Sequence, residues 1–368
     1  MIHSSHAQPV SLLGTLLVVL SVVTLGCEQT YRASPRPATR ASVDPDRSEV
    51  APGQPLVEPW SFGDFEGELV TTSTHRLHLT LSEGRLRDEI PKFMETAAEH
   101  YRGMLFDEDD DAARLPTTPE RMDVFLFGER NEWEGWTRWR LGRDAGLYLK
   151  IERGGYTIEG ESVLFDIGRY DTLCLLAHEG WHQYTQSLFK HPLPSWLEEG
   201  LATYAEGHRF RRSDAQPVFM PWRNLERFGQ LRQARSRGRL IPIEKIMDNQ
   251  PQAFVADGER SLLTYYAQVW ILMHYLVEGR DGKYRDGLVR LVRDAADGHI
   301  ASSLIQAQRR AGRRGYGERN SLSHEFISTY FDKDVENFLA GYDEFLEEAI
   351  SSGGGMYVWR GLSPVKRD

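Results

Sequence analysis

Five residues near the middle of the chain, His178-Glu179-Gly180-Trp181-His182, combine two imidazoles and a carboxylate at a spacing that can do chemistry. On a helix, residues four apart share a face, so the two rings can converge on one divalent cation at about 2.0–2.1 Å from each ring nitrogen. Glu179 then flanks the place of a cation-bound water and can take its proton. Gly180 costs a helix about 1 kcal/mol relative to alanine, which implies that another backbone or a substrate approaches there. An amphipathic helix with two surface histidines gives no reason for that glycine.

A catalytic zinc site needs a third protein ligand and an open fourth position. Sixteen residues separate His182 from Glu199, and a turn through Pro192 and Pro194 reverses the chain between them. There follows Trp196-Leu197-Glu198-Glu199-Gly200-Leu201-Ala202-Thr203-Tyr204-Ala205-Glu206. This run resembles the third-ligand helix of the gluzincins, the zinc metallopeptidases that use two histidines and a glutamate. In their M1 aminopeptidase branch the helix reads W-L-N-E-G-F-A-S/T-Y-x-E, and the resemblance puts the ligand at Glu199. Metzincins are excluded, because their glycine and third histidine do not follow His182. Periodicity also favours Glu199 over Glu198. Trp196, Leu197, Leu201 and Tyr204 make a buried stripe, and Thr203, four after Glu199, is placed to hydrogen-bond a ligand histidine. Glu198 then reads as a solvated carboxylate in a first helical turn, and Glu206 as an outer support of the site or a surface residue.

The resemblance implies one zinc ion per chain on His178, His182 and Glu199, with Glu179 as general base for peptide hydrolysis. It implies an α+β, zincin-like fold. The run is also similar to the peptidase-MA-like envelope proteins of bacteria, in which a strand-rich start leads into H-E-x-x-H and then W-L-x-E-G-L-A. Two features depart from the aminopeptidases. The ligand spacing is somewhat shorter, which a turn can absorb, and the G-x-M-E-N segment that binds a free amino terminus is absent. An endopeptidase acting on a peptide or protein substrate is therefore expected over an aminopeptidase. The alternative is a non-catalytic envelope binding or scaffold module on the same fold; a purely structural zinc site would have no use for Glu179.

Two further expectations come from the resemblance. Tyr265-Tyr266-Ala267-Gln268 resembles the Y-x-K-G stretch whose tyrosine stabilises the oxyanion, with the match on Tyr266 and with Gln268 and Val269 in place of lysine and glycine. Tyr266 also belongs to the apolar stripe Leu262, Leu263, Tyr266, Val269, Trp270, Met273, so a plain core role fits it equally; Tyr265 is the fallback. In this fold an edge strand beside the helix-borne site pairs with the substrate backbone. Counting back from His178 makes residues 162–167 the inner strand and 146–151 the edge, with Gly146, Leu147 and Tyr148 as substrate contacts.

The elements that must position these groups follow from periodicity. Residues 69–81 read as one or two strands, 82–105 as a helix with a possible kink at Pro91, and 122–127, 146–151 and 162–167 as strands. The acidic run 107–111 reads as a solvated loop. Residues 171–188, 195–210, 259–277, 284–296 and 335–350 read as helices. Strands early and helices late suit an α+β domain: a mixed sheet packed on the active-site helix, with an all-helical second lobe closing the cleft. The expected divisions are a leader at 1–27, a tether at 28–60, a peptidase-like domain at 61–352 divided into lobes at 61–190 and 191–352, and a tail at 353–368.

Residues 10–25 are a nearly unbroken apolar run, shorter than a spanning helix prefers and typical of a secretory leader. It ends in Thr24-Leu25-Gly26-Cys27, which resembles the lipobox of bacterial lipoproteins, in which the cysteine is acylated and begins the mature chain. An uncleaved anchor and simple secretion are the alternatives. All three export the chain, to the periplasm or cell envelope, and the lipid would tie it to the membrane. Six of 17 prolines fall in 28–59, as in an extended tether. With only Cys27 and Cys174 there is no disulfide framework, and Cys174 reads as a packing residue. Against 44 basic residues stand 54 acidic ones, and the net charge of -10 argues against nucleic acid as a partner. Arginine clusters at 209–212, 232–239 and 309–314 read as solvated surface or as sites for an anionic polymer or acidic peptide. His274 reads as a core histidine, while His75, His78, His191 and His208 lack ligand spacing.

Overall fold

The computed structural model describes residues 54–106, 114–255, 259–310 and 321–365. The leader, Cys27, most of the tether and the acidic run 107–111 lie outside the described residues.

The first part of the chain builds a six-stranded mixed sheet from β1 (Leu56–Phe62), β2 (Phe65–Thr71), β3 (His75–Leu79), β4 (Met122–Phe127), β5 (Gly155–Ile158) and β6 (Glu161–Phe165). The order is β1-β2-β3-β4-β6-β5. β3, β4 and β6 run parallel, and the remaining pairs are antiparallel. Parallel strands need crossovers, and these are α1 (Arg85–Gly103) and α2 (Arg130–Leu141). The central strand Met-Asp-Val-Phe-Leu-Phe is apolar on both faces because both are covered. Val124 and Leu126 pack with Ile90, Phe93 and Met94 of α1 and with Leu173, Leu176 and Ala177 of α4 (Arg169–Leu188). Phe125 and Phe127 point the other way, to Trp133 and Trp136 of α2.

The C-terminal region is helical apart from a short hairpin, β7 (His208–Phe210) and β8 (Pro217–Phe219). After α5 (Ser195–Ala205) come α6 (Leu225–Ser236), α7 (Ile243–Asp248), α8 (Pro251–Val255) and α9 (Glu259–Gly282). Then follow α10 (Arg285–Asp297), α11 (Ile300–Arg310), α12 (Leu322–Phe326), α13 (Val335–Ala349) and α14 (Gly354–Arg360). From Tyr265 to Leu276, α9 is buried on every side, as the central helix of a bundle must be. Among the described residues no helix is long and apolar enough to cross a membrane.

Four expectations need correction. Residues 146–151 are not a strand: α3 (Ala145–Tyr148) occupies the start of that run, and the buried positions Ala145, Tyr148 and Ile151 recur every three residues, not every two. The edge beside β6 is β5 instead. The tether ends earlier than residue 60, because β1 pairs with β2 along its whole length and Trp60 packs on Phe125, Phe127 and Trp136. The tail set apart at 353–368 is, over its described residues, part of the folded domain, since α14 buries Val358 and sets Gly355 against Phe228. Finally, the helix expected over 195–210 stops at Ala205, and residues 208–210 become β7.

Candidate metal centre

The i, i+4 spacing on α4 puts both imidazoles on the face that meets α5. Glu199 Oε2 lies 3.4 Å from His178 Nε2 and 3.7 Å from His182 Nε2. Those separations are too long for good hydrogen bonds. They suit ligands of one ion, since tetrahedral donors about 2.0–2.1 Å from a metal stand about 3.3–3.4 Å apart. All three residues are at most 3% exposed, and their donor atoms lie within 4.8 Å of one another. His182 Nε2, both oxygens of Glu199 and Oε1 of Glu179 are buried without a hydrogen-bond partner. Four such atoms at one point would be costly in an apolar interior, and a cation with a water would answer all of them. The donor set therefore fits a metal ion.

Each histidine is gripped from behind. His178 Nδ1 is 2.9 Å from Glu206 Oε1, and His182 Nδ1 is 2.8 Å from Glu198 Oε1. A carboxylate at Nδ1 fixes the ring proton there and turns the Nε2 lone pair toward Glu199. Burial lowers the pKa of both imidazoles, but the surrounding carboxylates, Glu199 foremost for His178 and Glu198 for His182, more than reverse it. The cluster therefore draws positive charge.

Glu198 corrects the expectation of a solvated side chain. It is 6% exposed and also accepts from Thr185 Oγ1 at 2.8 Å, because the first turn of α5 packs on α4. Glu206, left open above, supports the site. It accepts from Arg227 Nη2 at 2.8 Å and Nε at 3.2 Å, and from Asn224 Nδ2 at 2.6 Å. Burial pushes its carboxyl up, but Arg227 and His178 outweigh that and leave it at about 2. Thr203 does not reach a histidine: its hydroxyl donates to the carbonyls of Glu199 and Gly200 in its own helix.

Glu179 receives a hydrogen bond on Oε2 from Thr157 Oγ1 at 2.8 Å. Burial raises its pKa, with His182 and His178 pulling the other way, as suits a base. Thr157 belongs to β5, so the edge strand touches the carboxylate directly. Gly146 and Leu147 are exposed, and Tyr148 packs on Tyr156 of β5, so none of the three reaches the metal group.

The two glycines have steric reasons. A Cβ on Gly180 would stand 2.5 Å from Tyr101 Oη of α1, and one on Gly200 would stand 2.8 Å from Met273 Cε of α9. Tyr266 is buried, with its ring centroid 6.2 Å from that of His178. Tyr265 is buried too, its hydroxyl lacks a hydrogen-bond partner, and its ring stacks on Phe254. Burial first, and then the charge of Glu199, push both phenols well up. His274 stacks on Trp222 at 3.6 Å, and Cys174 is half-buried with its thiol pushed up by burial. Glu198, Thr157, Asn224 and Arg227 are the supporting residues that the sequence reading missed. Only Glu198, adjacent to a ligand, carried any signal.

A mixed α+β chain with a buried two-histidine, one-glutamate group that could hold a metal is thus what fold and site define. Residues 172–298 are similar to a family described as "Protein of unknown function (DUF1570)". That stretch holds His178, His182 and Glu199 together with the tyrosine-bearing α9. No curated protein and no solved structure matches the chain.

Proposed function

We propose that the chain is an exported zinc metallopeptidase with a gluzincin-like site on a zincin-like fold, an endopeptidase rather than an aminopeptidase. The observation that supports this most is the convergence of His178, His182 and Glu199 on one point beside the unpartnered Oε1 of Glu179. Two nitrogens from a H-E-x-x-H helix and one carboxylate oxygen from the helix that follows it suit zinc, which when bound polarises a scissile carbonyl and acidifies its water toward neutral pH.

In this reading Glu179 takes the proton of the nucleophilic water on Oε1, with Oε2 anchored by Thr157, and passes it to the leaving amine. Glu206 and Glu198 hold the Nδ1 proton of each imidazole and aim its Nε2 at the ion. Tyr266, or Tyr265 behind it, supplies a phenol donor for the developing oxyanion. The β5 edge pairs with the substrate backbone. Because the group is almost wholly buried, substrate entry requires its walls to move apart. An acylated Cys27 would hold the enzyme at the membrane of the cell envelope, with no role for nucleic acid.

That burial also supports a second reading, a non-catalytic envelope module with a structural metal. Digestion of a peptide library by the purified chain, with and without a chelator, separates the two. Chelator-sensitive internal cleavage supports the peptidase, and intact peptides beside a zinc-loaded protein support the module.

A further inference from the structure

Arg227 is a full charge at 1% exposure, and all three of its guanidinium nitrogens donate hydrogen bonds. Nη2 and Nε form a fork on Glu206 at 2.8 and 3.2 Å, and Nη1 donates to Gln230 Oε1 at 3.3 Å. Its Cζ stands over the ring of Tyr266, 5.2 Å from the centroid. Buried ion pairs are often no more stable than apolar residues of the same volume, so packing alone does not account for this one.

Its position does. Glu206 caps the C-terminal end of α5, where the helix dipole and burial both disfavour a carboxylate. Without a cation it would swing out or take up a proton. Clamped by the fork and by Asn224, it presents Oε1 to His178 Nδ1. The opposite use of the same cation, against Tyr266, sets a wall that belongs to α9. One planar group thus registers α5 and α9 about a histidine on α4. We propose that Arg227 is a positioning residue that orients His178 through Glu206 and places Tyr266 at the same time. The consequence for zinc rests on the metallopeptidase reading above; the orientation of His178 does not. Lysine should not replace it, since a point charge has neither fork nor plane.

Full-length Arg227→Lys, Arg227→Met and the neutral pair Glu206→Gln/Arg227→Met test this. Melting temperature, zinc affinity by chelator competition and the visible spectrum of the cobalt(II)-loaded protein are measured for each. Arg227→Lys should stay folded, bind zinc about 10–100-fold more weakly and show an altered cobalt spectrum. The neutral pair should recover the stability lost in Arg227→Met, because no carboxylate is left unpaired, yet keep the weakened affinity. A folded Arg227→Lys with zinc affinity and cobalt spectrum like the parent's would overturn the proposal, as would a neutral pair with parental affinity. A parent that takes up no zinc would sink the metal reading by itself. The downfield Nδ1 proton signal of His178 in metal-free protein then decides for Arg227: shifted or lost in Arg227→Lys supports the inference, and unchanged rejects it.

Discussion

Thr157 on the edge strand donates to Glu179 Oε2 at 2.8 Å, which leaves Oε1 of the same carboxylate buried and without a partner. One hydroxyl therefore joins the strand proposed to hold substrate to the residue proposed to move its proton. Thr157→Val removes that bond while keeping shape. A hydrogen bond to a charged group contributes ~1.5 kcal/mol, so kcat should fall about tenfold with zinc content unchanged. Turnover within twofold of the parent would show that the base needs no such anchor.

Glu198 and Glu199 are adjacent carboxylates with separate duties, one behind His182 and one facing both imidazoles. Glu199→Ala should abolish zinc retention. Glu198→Ala should keep the site but weaken zinc binding by about 10–100-fold, as other removals behind a ligand histidine do. Elemental analysis after dialysis against a graded chelator reads both. Parental affinity in Glu198→Ala would return that side chain to a solvation role.

How much of this was legible in the sequence depends on the range of the interaction. His178, His182 and Glu179 are local, because helix geometry dictates their convergence, and the Trp196-to-Glu206 run supplied Glu199. The support behind them is not local. Whether Glu198 meets water or His182 depends on how tightly α5 lies on α4, and nothing in an arginine-rich segment singles out Arg227 as the one that turns inward. The edge strand was misplaced because Gly-Leu-Tyr-Leu-Lys-Ile alternates in hydropathy as a strand would, while its buried positions follow a helical turn. The layers around the site were legible because β4 is apolar on both faces, whereas β1 was hidden among the prolines of the tether.

Gly180 offers a test of packing around the ligand helix. Glycine to alanine inside a helix ordinarily stabilises by about 1 kcal/mol. Here the added methyl meets Tyr101 Oη, so Gly180→Ala should destabilise by roughly 1–3 kcal/mol in urea unfolding. In a Tyr101→Phe background the nearest atoms stand at 3.4 Å, and the same change should be neutral or favourable. Equal effects in both backgrounds would remove Tyr101 as the cause.

His208 sets part of the acid sensitivity. It is 1% exposed, and burial lowers its pKa from 6.5 to about 4 despite a hydrogen bond to the Glu206 carbonyl. As pH falls below 6.5 the unfolded chain takes up this proton and the folded chain does not, so stability is lost as pH falls toward 4. Between pH 6.5 and 5 that loss is about 1.6 kcal/mol. His208→Gln should show a correspondingly shallower decline, and parallel curves would contradict the assignment.

The central claim is that Glu179 acts on a water at a zinc held by His178, His182 and Glu199. The most direct measurement pairs zinc content with peptide cleavage in the parent and in Glu179→Gln, whose amide keeps the shape but does not accept the proton. One zinc per chain in both proteins, with chelator-sensitive cleavage in the parent alone, is the predicted result. Cleavage by Glu179→Gln at the parental rate, or a parent that cleaves without any bound metal, would contradict it.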